Sequence, residues 1–424
     1  MTRPPLLLRT YGGLANLAAP LLFRRIRDRL VAHGTSPARA RERLGHATLP
    51  RPAGRLIWIH GASVGETLSA LPLITALRAQ EDPPRILVTS GTASSAEIMA
   101  KRLPAGALHQ FAPLDSKRAL RRFHAHWQPD LLVLMESELW PQMIQTAPCP
   151  VVLLNARLSA RALARWQSLG PSAAYILRRL ALIVTQTEAT AAGLRALGVA
   201  PDRIRTGGNL KAAAPPPDAA PAALAQITAA LTDRPRWLAA ATHPGEEDLL
   251  LAAHRQLLKS HPDLCLILAP RHPERGDRIA QMATGLTLTR RSAGEAPTAQ
   301  VYLADTLGEM GLWYRKAPLA FVGGSLTPNG GHNPWEGAAL GCALLTGSHL
   351  TNCAQDWQTL TDADAARTDL TADTLLPALQ DLLATPAAAR AMGARAAAVT
   401  ARQGDDIART VADLNALMPA KATP

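Results

Sequence analysis

The stretch Arg55-Leu-Ile-Trp-Ile-His-Gly-Ala-Ser-Val-Gly-Glu66, followed by Thr-Leu-Ser-Ala-Leu-Pro-Leu-Ile, decides how this chain is read. A short apolar strand enters a turn of small residues, and the turn opens a helix with a carboxylate at its start. Helix N-termini carry unpaired N–H groups and partial positive charge, which stabilise carboxylates. Glu66 is therefore expected to stay ionised and to point outward from the carboxyl end of a sheet, where open α/β folds keep their active sites. It is the candidate for proton abstraction.

Outward from this stretch the same alternation continues. Short apolar runs at Ile57–His60, Arg85–Thr89, Leu131–Met135, Val151–Asn155 and Leu180–Thr185 are separated by amphipathic stretches such as Leu68–Arg78 and Ser116–His126. Strands alternating with helices predict a parallel sheet covered on both faces. A Pro/Ala-rich segment after Lys211 reads as an inter-domain linker, set at 215–235. A second strand series follows at Trp237–Ala241, Leu264–Ala269, Val301–Ala304, Leu319–Val322 and Ala343–Thr346. The expected organisation is an N-terminal helix with basic flank (1–30), a Rossmann-like domain (31–214), the linker, a second Rossmann-like domain (236–395) and a helical C-terminal segment (396–424). Two such halves facing each other across a cleft is the economical fold, in keeping with 424 residues.

Several strand ends carry chemistry. Leu131–Met135 ends in Glu136-Ser-Glu138, whose alternative reading is helix capping ahead of Pro141. That alternative is preferred for Glu138 and stands level with function for Glu136. Asn155-Ala-Arg157 follows another strand, and Gly207-Gly208-Asn209-Leu-Lys211 closes the first half. In the second half four strand-end loops suit a nucleotide-type anion: Thr242-His243-Pro-Gly-Glu-Glu247, Pro270-Arg271-His272, Gly323-Gly324-Ser325, and Gly331-His332-Asn333-Pro334-Trp335-Glu336. His243, His272 and His332 lack metal-ligand spacing and are read as turn-stabilising or phosphate-binding groups, so no metal is expected. Neither a GxGxxG nor a GxxxxGK[ST] run is present, which argues against a dinucleotide oxidoreductase and a P-loop ATPase.

A net charge of +12 suggests an anionic partner, against the alternative of a general Arg bias. Nucleic acid is disfavoured because Tyr and Phe number only four each and no aromatic-basic motif occurs. Four scattered cysteines fit buried thiols in a reducing compartment. Pro4 to Phe23 is largely apolar but interrupted by Arg9, and a basic cluster from Arg24 to Arg29 follows it. The expectation is a helix lying on or dipping into an anionic membrane surface. The alternative is a helix packed on the protein's own core. Oligomeric state has no signature in the sequence.

Taken in order, these motifs resemble those of the 3-deoxy-D-manno-octulosonic acid (Kdo) transferases of lipopolysaccharide synthesis. The likeness rests on His60-Gly-Ala-Ser-Val-Gly-Glu66, Met135-Glu-Ser-Glu-Leu-Trp-Pro141, Asn155-Ala-Arg-Leu-Ser-Ala-Arg161, Thr242-His-Pro-Gly-Glu-Glu247, Pro270-Arg-His-Pro-Glu-Arg275, Gly308-Glu309, and Phe321-Val-Gly-Gly-Ser-Leu with Gly330-Gly-His-Asn-Pro. It implies a metal-independent GT-B glycosyltransferase needing no cofactor. Such an enzyme moves Kdo from CMP-Kdo to the 6'-hydroxyl of the lipid A precursor, with inversion, at the cytoplasmic face of the inner membrane. By that resemblance Glu66 is the general base, and Glu136 and Lys211 assist the transition state. CMP is held by Pro270 and Arg271, by Leu307, Gly308 and Glu309, and by Asn333, Pro334, Trp335 and Glu336. Candidate donor or acceptor contacts are Ser63, Gly65, Arg157, His243, His272, Gly324, Ser325 and His332. The chain departs from the family pattern at Ala212-Ala213 after Lys211, at Leu350-Thr-Asn-Cys353, and at Gly337 after Glu336. Two other readings remain open at this level: a GT-B enzyme using a UDP-sugar, and a catalytically silent sugar-nucleotide-binding protein.

Overall fold

The structure is a computed structural model that describes residues 3–213, 216–232 and 234–419, without the side chains of Lys211 and Ala213. The chain forms two compact units, one of residues 1–211 with 403–424 and the other of residues 212–402.

The first unit holds a seven-stranded parallel sheet. Its strands are β1 (Leu56–His60), β2 (Arg85–Ser90), β3 (Ala107–Phe111), β4 (Leu131–Met135), β5 (Val151–Ala156), β6 (Leu180–Thr185) and β7 (Ile204–Thr206), in the order β3-β2-β1-β4-β5-β6-β7. The central strands are buried on both faces, which is why they read as unbroken apolar runs. Trp58 on β1 packs on Phe123 of the helix Lys117–Trp127, ring centroids 4.3 Å apart, and Phe123 in turn packs on Trp127. Hydroxyl side chains start the helices that leave the carboxyl edge. Ser63, Thr92, Ser116, Ser159 and Thr187 each accept a backbone N–H of the helix they precede. The helix Pro141–Thr146 has no such cap of its own. Asp115 supplies it from a distance, accepting from Gln142 N and Met143 N at 3.1 and 2.7 Å.

The second unit repeats the plan with β8 (Arg236–Thr242), β9 (Cys265–Pro270), β10 (Leu288–Arg290), β11 (Val301–Leu303), β12 (Leu319–Val322), β13 (Ala343–Gly347) and β14 (Ala366–Leu370), all parallel, in the order β10-β11-β9-β8-β12-β13-β14. Trp237, Tyr302, Trp313 and Phe321 are fully buried in its core.

Two boundaries differ from the sequence reading. The expected linker at 215–235 contains the helix Pro221–Leu231, whose Ile227 and Leu231 are buried in the core of the second unit. Alternating Ala and apolar residues after Pro221 suffice for a packed helix. The last helix, Pro386–Leu417, crosses from one unit to the other at 402/403, so the C-terminal segment is not a separate body. Its far half is tied to the first unit by Arg205, which bonds Asp406, Thr410 and Asp413.

The N-terminal helix Leu6–Ala32 has two characters. Leu8, Gly12, Ala19 and Leu30 are buried against the first unit, Tyr11 donates to Asp115 at 2.8 Å, and Asn16 accepts from Arg118 N at 3.2 Å. Leu14, Leu17 and Leu21 stay exposed, Leu17 by 79%. One face therefore packs on the protein's own unit, the second of the two sequence alternatives, and another presents leucines to the outside.

Leu153, fully buried on the central strand β5, gives a direct check of this core. Leu153→Ala is expected to cost roughly 2–5 kcal/mol from lost burial and an unfilled cavity. The shift in denaturant midpoint measures it, and a loss below about 1 kcal/mol would contradict the burial described here.

Candidate functional site

In each sheet the strand order reverses beside the first strand, between β1 and β4 and between β8 and β12. Crevices at such reversals, outside the carboxyl ends, are where open α/β sheets bind ligands.

In the first unit His60 ends β1, paired in register with Thr89 of β2 and Leu134 of β4. Its ring is buried, with Nδ1 3.0 Å from Thr89 Oγ1 and Nε2 3.6 Å from Glu138 Oε2. Gly61 follows. A Cβ there would stand 3.0 Å from Glu66 Cβ and 3.1 Å from Thr67 N, so glycine lets the helix start close against the strand end. Ser63 and Glu66 form a capping box: Glu66 N donates to Ser63 Oγ at 3.4 Å, and Ser63 N donates to Glu66 Oε2 at 2.9 Å.

The carboxyl of Glu66 thus turns back over its own helix start instead of pointing outward. Its pKa is raised, and the expectation of a carboxylate stabilised by the helix start is corrected. Burial pushes it up most, and the charges of Glu138 and Glu136 add to that; the bonds from Ser63 N and Ala62 N pull the other way and are outweighed. Glu138 moves in the opposite direction. Burial would raise it, but His60 and the Trp140 indole N–H hold its carboxylate below the usual range. Glu138 does not cap the next helix, whose N-terminus goes to Asp115. It stands instead beside His60 and Glu66, where the sequence reading had preferred a capping role.

Glu136 sits just past β4 in left-handed backbone, φ 56°, and Asn155 on the adjacent strand β5 has the same φ. The conformation costs a non-glycine residue on the order of 1 kcal/mol, and here it lets both chains turn out of the sheet at the same level. Asn155 is fully buried and its Oδ1 accepts from Leu210 N at 3.1 Å, which anchors the backbone just ahead of Lys211. The Lys211 side chain lies outside the described residues. Arg157 is exposed, and its N–H bonds the Glu136 carbonyl at 3.3 Å. Ser63 and Gly65 are exposed in the turn beside Glu66.

In the second unit two buried carboxylates build the loops. Glu246 opens the helix after β8 and accepts four backbone N–H groups: His243 at 2.9 Å, Gly324 at 2.7 Å, Ser325 at 2.9 Å and Leu326 at 2.9 Å. Glu247 takes both arms of Arg275, at 2.6 and 3.2 Å, and the Thr242 hydroxyl at 3.0 Å. One carboxylate therefore holds the turns at 243 and 324–326, and the other holds the loop that carries Arg271 and His272. The sequence reading quoted Thr242–Glu247 as a loop motif without seeing either clamp. The signal was present: two adjacent acids at a helix start after a buried strand have to find N–H or guanidinium partners.

On this scaffold three imidazoles come together. His243 Nε2 and His332 Nε2 are 2.8 Å apart, and the His243 and His272 rings meet edge-on with centroids 5.9 Å apart. Burial, with His243 and Arg271 nearby, holds His332 down at about 4. His243 is lowered as well, again chiefly by burial. The two Nε2 atoms are within reach of one N–H···N bond. Gly324, φ 74°, lies directly beneath the His332 ring, where a Cβ would come within 3.1 Å. Arg271 is exposed beyond Pro270, the last residue of β9.

Other predicted site residues have structural employment. The Ser325 hydroxyl is spent on Val322 O and Gly347 N. Glu309 is gripped by both arms of Arg291, which hold its carboxylate low, while Leu307 and the left-handed Gly308 are the exposed part of that loop. Asn333 Oδ1 accepts from Trp335 N at 2.9 Å and so starts the helix Trp335–Ala339, with Pro334 at the cap position. Trp335 is buried and Glu336 is exposed. Among the described residues no group of three or more His, Cys, Asp and Glu is placed to hold a metal ion.

Comparison with known proteins follows this geometry. The family model described as 3-deoxy-D-manno-octulosonic-acid transferase (kdotransferase) matches residues 38–214. A probable mitochondrial 3-deoxy-D-manno-octulosonic acid transferase of Arabidopsis thaliana is 37% identical over 356 residues, spanning 81% of this chain and 80% of that protein. The 3-deoxy-D-manno-octulosonic acid transferase of Haemophilus influenzae is 34% identical over 393 residues, 89% of this chain and 88% of that one. Among solved structures, a glycosyltransferase from Rickettsia africae covers 86% of this chain and 98% of its own, with a TM-score of 0.53 at 11% identity. That likeness concerns the fold, which is the expected GT-B type.

The Glu246 clamp yields a prediction of its own. Glu246→Gln puts an amide N–H₂ against at least one backbone N–H and should destabilise the second unit by about 1.5–3 kcal/mol. Thermal or denaturant unfolding reads the loss; a neutral effect would show that the four bonds do not hold the loops.

Proposed function

The chain belongs to the 3-deoxy-D-manno-octulosonic acid (Kdo) transferase family, and on that premise we propose that it moves Kdo from CMP-Kdo to the 6'-hydroxyl of the tetraacyl lipid A precursor, lipid IVA, with inversion at the anomeric carbon. Family membership makes it a glycosyltransferase that transfers Kdo. The donor, the acceptor, the stereochemistry and the residue roles are the proposal.

The observation that carries it is the raised carboxyl of Glu66 at the end of β1, next to Glu138 and Glu136. A sugar hydroxyl is a poor nucleophile. A carboxylate of raised basicity takes its proton as the oxygen attacks, for roughly 10²–10⁴-fold in rate. The new C–O bond forms as the bond from Kdo to the cytidine monophosphate oxygen breaks, and CMP leaves with its electron pair. Glu136 supports the oxocarbenium-like centre and Lys211 the developing negative charge. On the second unit Arg271 and the N–H groups of the glycine loop supply positive potential for the leaving phosphate, a fixed electrostatic task. The remaining CMP contacts fall to Pro270, Leu307–Glu309 and Asn333–Glu336. No metal or cofactor enters this scheme.

The acceptor is a phosphorylated lipid, and the exposed leucines of the N-terminal helix with the basic residues after them suit attachment to the cytoplasmic face of the inner membrane.

Mass spectrometry of the lipid A precursor after incubation with purified protein and CMP-Kdo tests the reaction. Addition of Kdo is expected; transfer from UDP-sugars alone would overturn the donor. Glu66→Gln should keep the fold and reduce kcat/KM by about 10²-fold or more. Turnover near that of the unsubstituted enzyme would refute the base.

A further inference from the structure

The N-terminal helix and the helix Lys117–Trp127 lie against each other in the first unit and leave a groove of about 310 Å³ between them. Four arginines line it, Arg24 and Arg27 from one helix and Arg118 and Arg122 from the other, with Arg27 also paired to Asp28 at 2.8 Å. The rest of the lining is mostly apolar, including Ala19 and Phe23, and no carboxylate belongs to it. The mechanism uses none of these residues.

Two observations point to a ligand and not to a merely solvated basic face. First, the walls are built. Asn16 Oδ1 accepts from Arg118 N at 3.2 Å, and Arg122 donates to Leu44 O at 3.2 Å, so the two helices and the segment after residue 40 hold a fixed spacing. Second, the groove adjoins an apolar stripe. At 3.6 residues per turn, Leu14, Leu17 and Leu21 share one face of the N-terminal helix, immediately beside the face of Arg24. These leucines are 66%, 79% and 60% exposed. If the stripe enters acyl chains, Arg24, on the neighbouring face of the same helix, stands nearest the headgroups.

We propose that this groove binds the phosphate of a lipid in the bilayer leaflet, with the guanidinium forks on the phosphate oxygens and the lipid's chains leaving past Arg24 toward Leu17 and Leu21 on the adjoining face. Arginine matches phosphate in bidentate geometry, and two pairs of arginines facing from different helices neutralise a phosphate that a single surface arginine would leave solvated. Charge complementarity selects the phosphate. The apolar wall beside it selects a lipid over a free anion. The inference rests on the reading of the N-terminal helix as membrane-associated.

The test is vesicle binding by the full chain. Co-sedimentation is measured with phosphatidylcholine vesicles that do or do not contain phosphatidic acid. Arg118→Glu/Arg122→Glu, in the groove, is compared with the charge-matched Arg25→Glu/Arg121→Glu, outside it, and with the milder Arg24→Gln/Arg27→Gln. All are exposed positions, and circular dichroism checks their folding. Both groove variants should lose binding to the acidic vesicles, by about tenfold more for the Glu pair than for its charge-matched control. Inorganic phosphate at millimolar concentration should not displace the vesicles. Equal losses in groove and control variants would mean diffuse attraction and overturn the site, as would displacement by free phosphate. Failure of the unsubstituted protein to bind any acidic vesicle would instead bring down the membrane reading, and this inference with it.

Discussion

A carboxylate at the start of the helix that follows the first strand of its sheet recurs in both units, and its surroundings decide what each unit can do. Glu246 is fully buried and saturated by four backbone N–H groups. It is a strut: nothing is left over for a ligand, and the loops around it are fixed. Glu66 occupies the corresponding place after β1, but it receives bonds only from its own turn and faces Glu138 and Glu136 across the strand ends. Burial and like charge raise its basicity. The same local motif thus yields a saturated scaffold in one unit and a carboxyl of raised pKa in the other, and the difference lies in the partners that neighbouring strands bring.

Those partners also mark how far the sequence could be read. The ten strands expected from apolar runs are all present, within a residue or two at their ends. The four that were not expected, β3, β7, β10 and β14, are the edge strands of the two sheets. Central parallel strands are buried on both faces and are apolar throughout. An edge strand such as Leu288–Arg290 is only half-buried, and its three residues carry no periodicity to detect. The site divides the same way. The placement of Glu66 and Glu136 at the carboxyl edge of the sheet was legible because each follows a strongly apolar run. Glu138 was not, because what defines it is His60, distant in sequence and brought alongside only by the pairing of β1 with β4. The clamps of Glu246 and Glu247 were hidden for the same reason: Gly324 and Arg275 reach them through the fold.

The N-terminal helix shows the limit of hydropathy as a guide. Its apolar length suggested membrane contact, and Arg9, Asn16 and the glycines weakened that reading. The structure assigns these signals to separate faces. Gly12 and Ala19 allow close packing, while Tyr11 and Asn16 make specific bonds to Asp115 and to the Arg118 backbone. The leucines face away. Polar bonds anchor the helix to its own unit by one face and leave the leucine face uncovered.

The proposed base, Glu66, owes its raised pKa to burial and to its acidic neighbours. The most direct measurement is the acid limb of kcat/KM for Kdo transfer, compared between the unsubstituted enzyme and Glu138→Gln. A base must be deprotonated, so activity falls as pH drops through the raised pKa of Glu66. Removing the Glu138 charge should lower that pKa and move the acid limb to lower pH. An acid limb that stays in place, or moves upward, would contradict the claim that these carboxylates tune the base.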